Sequence, residues 1–162
     1  MSSARQLILD ASTRSNAGRA LPPVRLSVAA TALAAAVCAF AQAPSSVWDG
    51  VYTEEQAARG STLYKQECAS CHGMALEGAG QFPPLAGDDF KSNWNGQQLS
   101  DLFEKMRLSM PADHPGKLGG SQNADILAYM LKQNGFPAGA APIKGDADAL
   151  KSIRFDSAKP SK

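Results

Sequence analysis

Residues 68–72 read Cys-Ala-Ser-Cys-His. Two thiols three positions apart, with an imidazole directly after the second, form a dense set of nucleophilic and metal-binding groups. Four chemistries compete for them. A Cys68–Cys71 disulfide would close a very tight ring and leaves His72 unexplained. A structural zinc ion takes four protein ligands, and beyond residue 41 the chain has only these two cysteines and two histidines, His72 and His114. A thioredoxin-like redox pair needs a strand before it in a βαβ pattern, and no strand pattern precedes Cys68. Covalent attachment of a c-type haem has C-x-x-C-H as its signature. On a helical turn, residues three apart share a face. Both thiols can therefore add across the two vinyl groups of one porphyrin while His72 turns its imidazole to the iron. Five residues then anchor one covalent haem c and supply one axial ligand.

Helices must deliver and enclose such a group. The stretch "TEEQ" at 53–56 reads as a capping box, with Thr53 as N-cap and Gln56 three residues on. It predicts a helix from Glu54 to about Gln66 that ends at the cysteines. Leu99, Leu102, Phe103 and Met106 recur at the spacing of an amphipathic helix. A third helix is expected with Ser121 as N-cap, Ile126, Leu127, Met130 and Leu131 on its apolar faces, and an end at Asn134-Gly135 before Pro137. No alternating strand pattern and no internal repeat is visible. The class is all-α.

The first 41 residues read differently from the rest. Arg5, Arg14, Arg19 and Arg25 face only Asp10, an apolar run follows from Leu26 to Phe40, and small residues stand at Ala39 and Ala41. This is the layout of a secretory signal peptide cleaved after Ala41. The apolar run is mostly alanine and shorter than the roughly 20 residues of a membrane-spanning helix, so no integral span is expected in the mature chain. Cys38 falls in the discarded part. The whole chain carries 16 basic and 15 acidic side chains; the leader holds four and one of these, which leaves 12 against 14, a net of −2. That balance excludes the strongly basic footprint of a nucleic-acid binder. Residues 42–50 read as a short linker, 51–136 as the haem domain and 137–162 as a C-terminal extension with a helical piece at "DADALKSI" and Ile153 and Phe155 as apolar anchors.

The motifs "ARGSTLYKQECASCHG", "FPPLAG", "MPADHPGKL" and "ADILAYML", in this order over roughly Val51 to Phe155, resemble class I c-type cytochromes. More narrowly, the chain is similar to small bacterial monohaem cytochromes related to the cytochrome domains of quinoprotein alcohol dehydrogenases. The resemblance implies three main helices around one haem, with the first and last crossing. It implies that Gly60 and Tyr64 form that crossing with Ile126 and Tyr129. It implies that Pro83 offers its carbonyl to the ring N–H of His72, that Leu85 packs on the haem face, and that Trp94 lies beside the haem edge, where its indole can reach a propionate. Gln81, Asn93 and Asn95 are further candidates for the propionates.

The sixth iron ligand has several candidates. Met74 is too close to His72 to reach the opposite face. Met106 and Met130 lie on apolar helical stripes, where methionine fills cores. Met110 follows a helix and precedes Pro111, and the ligand of the resembling family occupies such a Met-Pro step. His114, in the turn-like "ADHPG", is the runner-up. Haem iron held by His72 and Met110 implies a periplasmic one-electron carrier rather than an enzyme. It would take electrons from a periplasmic dehydrogenase and pass them to an oxidase or another cytochrome. A dedicated haem subunit of a periplasmic complex and a haem-based gas sensor are the alternatives.

Overall fold

The computed structural model describes residues 46–161. The expected signal peptide, its Cys38 and the start of the linker lie outside the described residues. Five α-helices follow in order: α1 (Glu54–Glu67), α2 (Ala69–His72), α3 (Asp88–Trp94), α4 (Leu99–Ser109) and α5 (Gly120–Gln133). Short 3-10 turns at Val47–Asp49 and Asp148–Leu150 flank them. Among the described residues the only β-type pairings are isolated bridges.

Thr53 opens α1 in an extended conformation, and its hydroxyl accepts the Gln56 N–H at 3.2 Å. The second half of the expected capping box is not formed. The Gln56 carboxamide instead pairs with the backbone of Ile143, accepting its N–H at 2.8 Å and donating to its carbonyl at 3.0 Å. Gln56 is buried, so a two-way bond to a passing peptide group satisfies both ends of its amide where a cap would satisfy one. Helix α5 starts at Gly120, not after Ser121. The Gln122 side chain accepts the Gly119 N–H at 3.0 Å, and Gly120 lies against Gly145, whose carbonyl oxygen would be 2.2 Å from any Cβ added there. Helix α3 has no counterpart in the sequence reading. It has seven residues with only Phe90 buried, too few for a periodicity to show.

The crossing of α1 with α5 organises the core. A Cβ on Gly60 would stand 1.8 Å from the Asp125 carbonyl oxygen and 3.0 Å from Tyr129 Cβ. The Tyr64 and Tyr129 rings pack with centroids 5.4 Å apart. Ile126, expected at this contact, is buried in the same core and also lines the central cavity. Arg59 clamps the crossing from outside with a two-pronged bond to Asp125, both distances 2.9 Å.

The C-terminal extension is part of this core. Leu150, Ile153 and Phe155 are buried, and Phe155 packs edge-on against Phe90 and Phe136. Its backbone exchanges bonds with Gly96 and Gln97, each 2.8 Å. The expected helical piece shrinks to the 3-10 turn. Residues 46–50 do not run free as a linker does: Val47 is fully buried, its N–H bonds Arg154 O at 3.0 Å, and the Trp48 indole donates to Asp156 O at 2.8 Å.

Two predictions follow from this packing. Gly60→Ala should cost about 1–3 kcal/mol by forcing α1 and α5 apart, read as a lowered denaturant midpoint. The second concerns pH. Tyr52 is buried and donates to Phe136 O at 2.7 Å. Burial, with the Glu54 carboxylate adding, pushes its hydroxyl from 10.0 up to about 12. The unfolded chain therefore gives up this proton first, so stability is intact below pH 10 and falls as pH rises from about 10 to 12. Denaturation across that range should show a shallower fall in Tyr52→Phe than in the wild type.

Candidate functional site

Helix α1 runs straight into the cysteine motif. Cys68 closes α1, and its carbonyl accepts the Cys71 and His72 N–H groups at 3.2 and 2.9 Å. Residues 68–72 thus form one helical turn, as the spacing predicts. Gly73, at φ 82°, ends the turn and bonds Ala69 O at 3.0 Å. The Tyr64 hydroxyl donates to Gly73 O at 2.7 Å, so the α1–α5 crossing and the end of the motif share one side chain. Both thiols are unbridged. Burial, then the nearby Glu67 carboxylate and Cys71, push the Cys68 thiol up to about 11. Among the described residues, no three of His, Cys, Asp and Glu converge as a metal site.

The glycine- and proline-rich stretch after the motif is a folded loop with its own bonds. Gly78 N–H reaches His72 O at 2.8 Å, Ala79 and Phe82 exchange bonds at 3.1 and 2.9 Å, and Leu85 N–H reaches Leu76 O at 2.9 Å. Gly78 is required here: at φ 77°, a Cβ would lie 2.7 Å from Phe82 O and 2.9 Å from the Pro83 carbonyl carbon. The loop brings Pro83 O to 2.8 Å from His72 Nδ1. A carbonyl oxygen only accepts, so Nδ1 carries the proton and Nε2 keeps its lone pair for another partner. His72 itself is buried.

Cys68, Cys71, His72 and Met110 all line one cavity of about 910 Å³, in the upper part of the roughly 300–1,000 Å³ range of cofactor pockets. Its walls include Leu85, Phe90, Leu102, Met106, Ile126 and Met130. Two thiols, one imidazole with a free nitrogen and a thioether, set in apolar walls, fit the groups that a c-type haem presents. Met110 closes α4 through an N–H bond to Met106 O at 3.0 Å. Met106 and Met130 are buried in helices and reach the cavity as wall. Met74 is 62% exposed and is not among the lining residues.

Trp94 lines the cavity and packs against Phe90, with ring centroids 6.4 Å apart. Asn93 also lines it. Gln81 does not, and Asn95 accepts the Ser157 N–H at 2.9 Å instead. His114 stands at the cavity edge, largely exposed, with Nδ1 3.1 Å from the Asp113 carboxylate. Sequence reasoning missed Phe82, whose ring stands edge-on to His72 at 6.1 Å. It missed Lys105 and Lys117 on the cavity wall, the latter 2.6 Å from Glu67. A signal for Phe82 was available in its place directly before Pro83. None existed for the lysines, which sit at ordinary surface positions.

Comparison with known proteins agrees with this geometry. Residues 55–130 match the family described as cytochrome C oxidase, cbb3-type, subunit III. The chain is 64% identical over 31 residues to cytochrome c-554(547) of Halothiobacillus neapolitanus, covering 19% of this chain and 34% of that one. It is 29% identical over 107 residues to cytochrome c-555 of Methylococcus capsulatus, covering 65% and 83%. It is 29% identical over 120 residues to the cbb3-type cytochrome c oxidase subunit FixP of a Bradyrhizobium species, covering 63% and 40%. The chain thus spans about a third of the Halothiobacillus protein and two fifths of the Bradyrhizobium subunit. The family match over residues 55–130, the relatives named as cytochromes and the helical fold around a Cys-x-x-Cys-His turn together support a class I c-type cytochrome domain in this part of the chain.

Proposed function

We propose that this protein is a one-electron carrier holding a single haem c, with thioether bonds from Cys68 and Cys71 and with His72 and Met110 as axial ligands. The observation that carries the reading is convergence: residues from two separate segments, 68–72 and 110, open onto one apolar cavity. When bound there, haem supplies reversible Fe(II)/Fe(III) chemistry. The chain's own residues do the rest. Cys68 and Cys71 fix the group in position and orientation. The Pro83 carbonyl holds the His72 proton on Nδ1 and raises the basicity of the ring. Met110 offers a soft neutral donor, which favours the ferrous state and raises the potential relative to many other ligand sets. Leu85, with the other apolar walls, excludes water and disfavours the extra charge of the ferric state. With His72 and Met110 both engaged in holding the iron, no position would stay open for a substrate, which is the basis for a carrier rather than an enzyme.

The basic, then apolar, then small-residue leader supports export to the periplasm. No described helix is long and apolar enough to cross a membrane. A periplasmic dehydrogenase as donor, and an oxidase or another cytochrome as acceptor, complete the reading. The similarity to an oxidase subunit over 120 residues favours one second reading, a dedicated haem subunit of such a complex. Co-purification with a fixed partner at high salt identifies the subunit, because a shuttle docks transiently.

Two experiments test the site. After denaturation and extraction with acidified acetone, the colour should stay with the wild-type protein, and Cys68→Ala with Cys71→Ala should leave no covalently attached haem. Colour moving to the organic layer from wild type contradicts the thioethers. Met110→Ala should abolish the weak far-red sulfur-to-iron band, lower the potential and admit carbon monoxide quickly. Met106→Ala should keep the band and cost about 2–5 kcal/mol of stability, and His114→Ala should leave the spectrum unchanged. Loss of the band in Met106→Ala but not in Met110→Ala moves the ligand. Rapid carbon monoxide binding by a wild type without the band points to an open iron and a sensor.

A further inference from the structure

The bond between His72 Nδ1 and Pro83 O depends on what holds Pro83 in place. Neither Pro83 nor Pro84 has an N–H to donate, so the double proline cannot anchor itself through backbone donors. The next residues are gripped on two sides. On one side Leu85 N–H bonds Leu76 O at 2.9 Å, within the same loop. On the other a single side chain from a distant helix does the work. Asn134, at the C-terminus of α5, donates Nδ2 to Leu85 O at 3.0 Å and to Met130 O at 2.8 Å. Its Oδ1 accepts the Gly87 N–H at 3.1 Å.

Asn134 is 9% exposed, and these three bonds fill both ends of its carboxamide. A helix end could be capped by water or by its own glycine, here Gly135 at φ 81°. Only a side chain of this length, with a donor and an acceptor on one plane, can hold the carbonyl of Leu85 and the N–H of Gly87 together. We infer that Asn134 is a positioning residue for His72: it fixes the Leu85–Gly87 peptides, and through them the Pro83 carbonyl that the imidazole faces. The inference rests on the reading of His72 as an iron ligand. It makes α5 act on His72 twice, once through the Gly60 crossing that places the Cys-x-x-Cys-His turn and once through Asn134. An acceptor held rigidly keeps the Nδ1 proton donated and protected. A loosened one lets the bond open and the proton exchange with solvent.

The test is the exchange rate of the His72 Nδ1 proton, measured by NMR on the haem-loaded protein. Asn134→Ala should speed exchange at least about tenfold over wild type, since three buried bonds are lost. Tyr52→Phe is the control, because it removes one buried bond, to Phe136 O, and none made to residues 83–87. Asn134→Asp is the second variant. Its carboxylate can accept from Gly87 but cannot donate to Leu85 O, so exchange relative to wild type should be fast at neutral pH. Protonation returns one donor, and the ratio should fall toward one as pH is lowered. The role is overturned if exchange in Asn134→Ala rises no more than in Tyr52→Phe, or, should Asn134→Ala fail to fold, if Asn134→Asp matches wild type at every pH. Ferric wild-type protein whose His72 ring protons show no iron-induced shift overturns the ligand reading itself, which separates the two failures.

Discussion

The Asp125 carbonyl lies so close to α1 that no side chain can stand at position 60. That one backbone approach sets the spacing of α1 and α5, and the site is built from their two ends. The C-terminal end of α1 becomes the turn of Cys68, Cys71 and His72. The C-terminal end of α5 presents Asn134 to the loop that carries Pro83. Between them, Ile126 and Met130 of α5 form cavity wall. A shift at the crossing would therefore move the thiols, the imidazole and the imidazole's hydrogen-bond acceptor relative to one another.

The remaining elements brace this pair. The C-terminal extension bonds the buried amide of Gln56 on α1 through Ile143, and Phe155 ties α3 to the chain beyond α5 through Phe90 and Phe136. Close glycine contacts recur where the extension meets the body: Gly145 against Gly120, and Gly139 against Gly50. A group bound in the cavity of about 910 Å³ would pack against Leu85, Phe90, Met106, Ile126 and Met130, so it would be part of the core as well as the reactive centre.

Much of this was legible in the sequence, for physical reasons that differ by element. The Cys68–His72 turn was legible because the chemistry demands fixed residue types at fixed spacing. Helix α4 was legible because Leu99, Leu102, Phe103 and Met106 face one side, and all four are buried. The bond from His72 to Pro83 came through likeness to a family, and the 2.8 Å contact shows that the loop makes it. What failed were choices settled by tertiary partners. Gln56 has the local pattern of a cap but finds Ile143. Ser121 looks like an N-cap, but Gln122 and the Gly145 contact start the helix earlier. Helix α3 is too short to leave a pattern. Asn134 reads as a helix stop, and nothing local reveals that its amide reaches the loop at 85–87.

The central claim is that His72 and Met110 complete the coordination of one iron. Iron-edge X-ray absorption on the purified, loaded protein tests it most directly. The account predicts one sulfur neighbour at thioether distance and an otherwise nitrogen shell in the reduced protein, with six ligands in total. A shell of nitrogen and oxygen alone, or a five-coordinate iron, contradicts it.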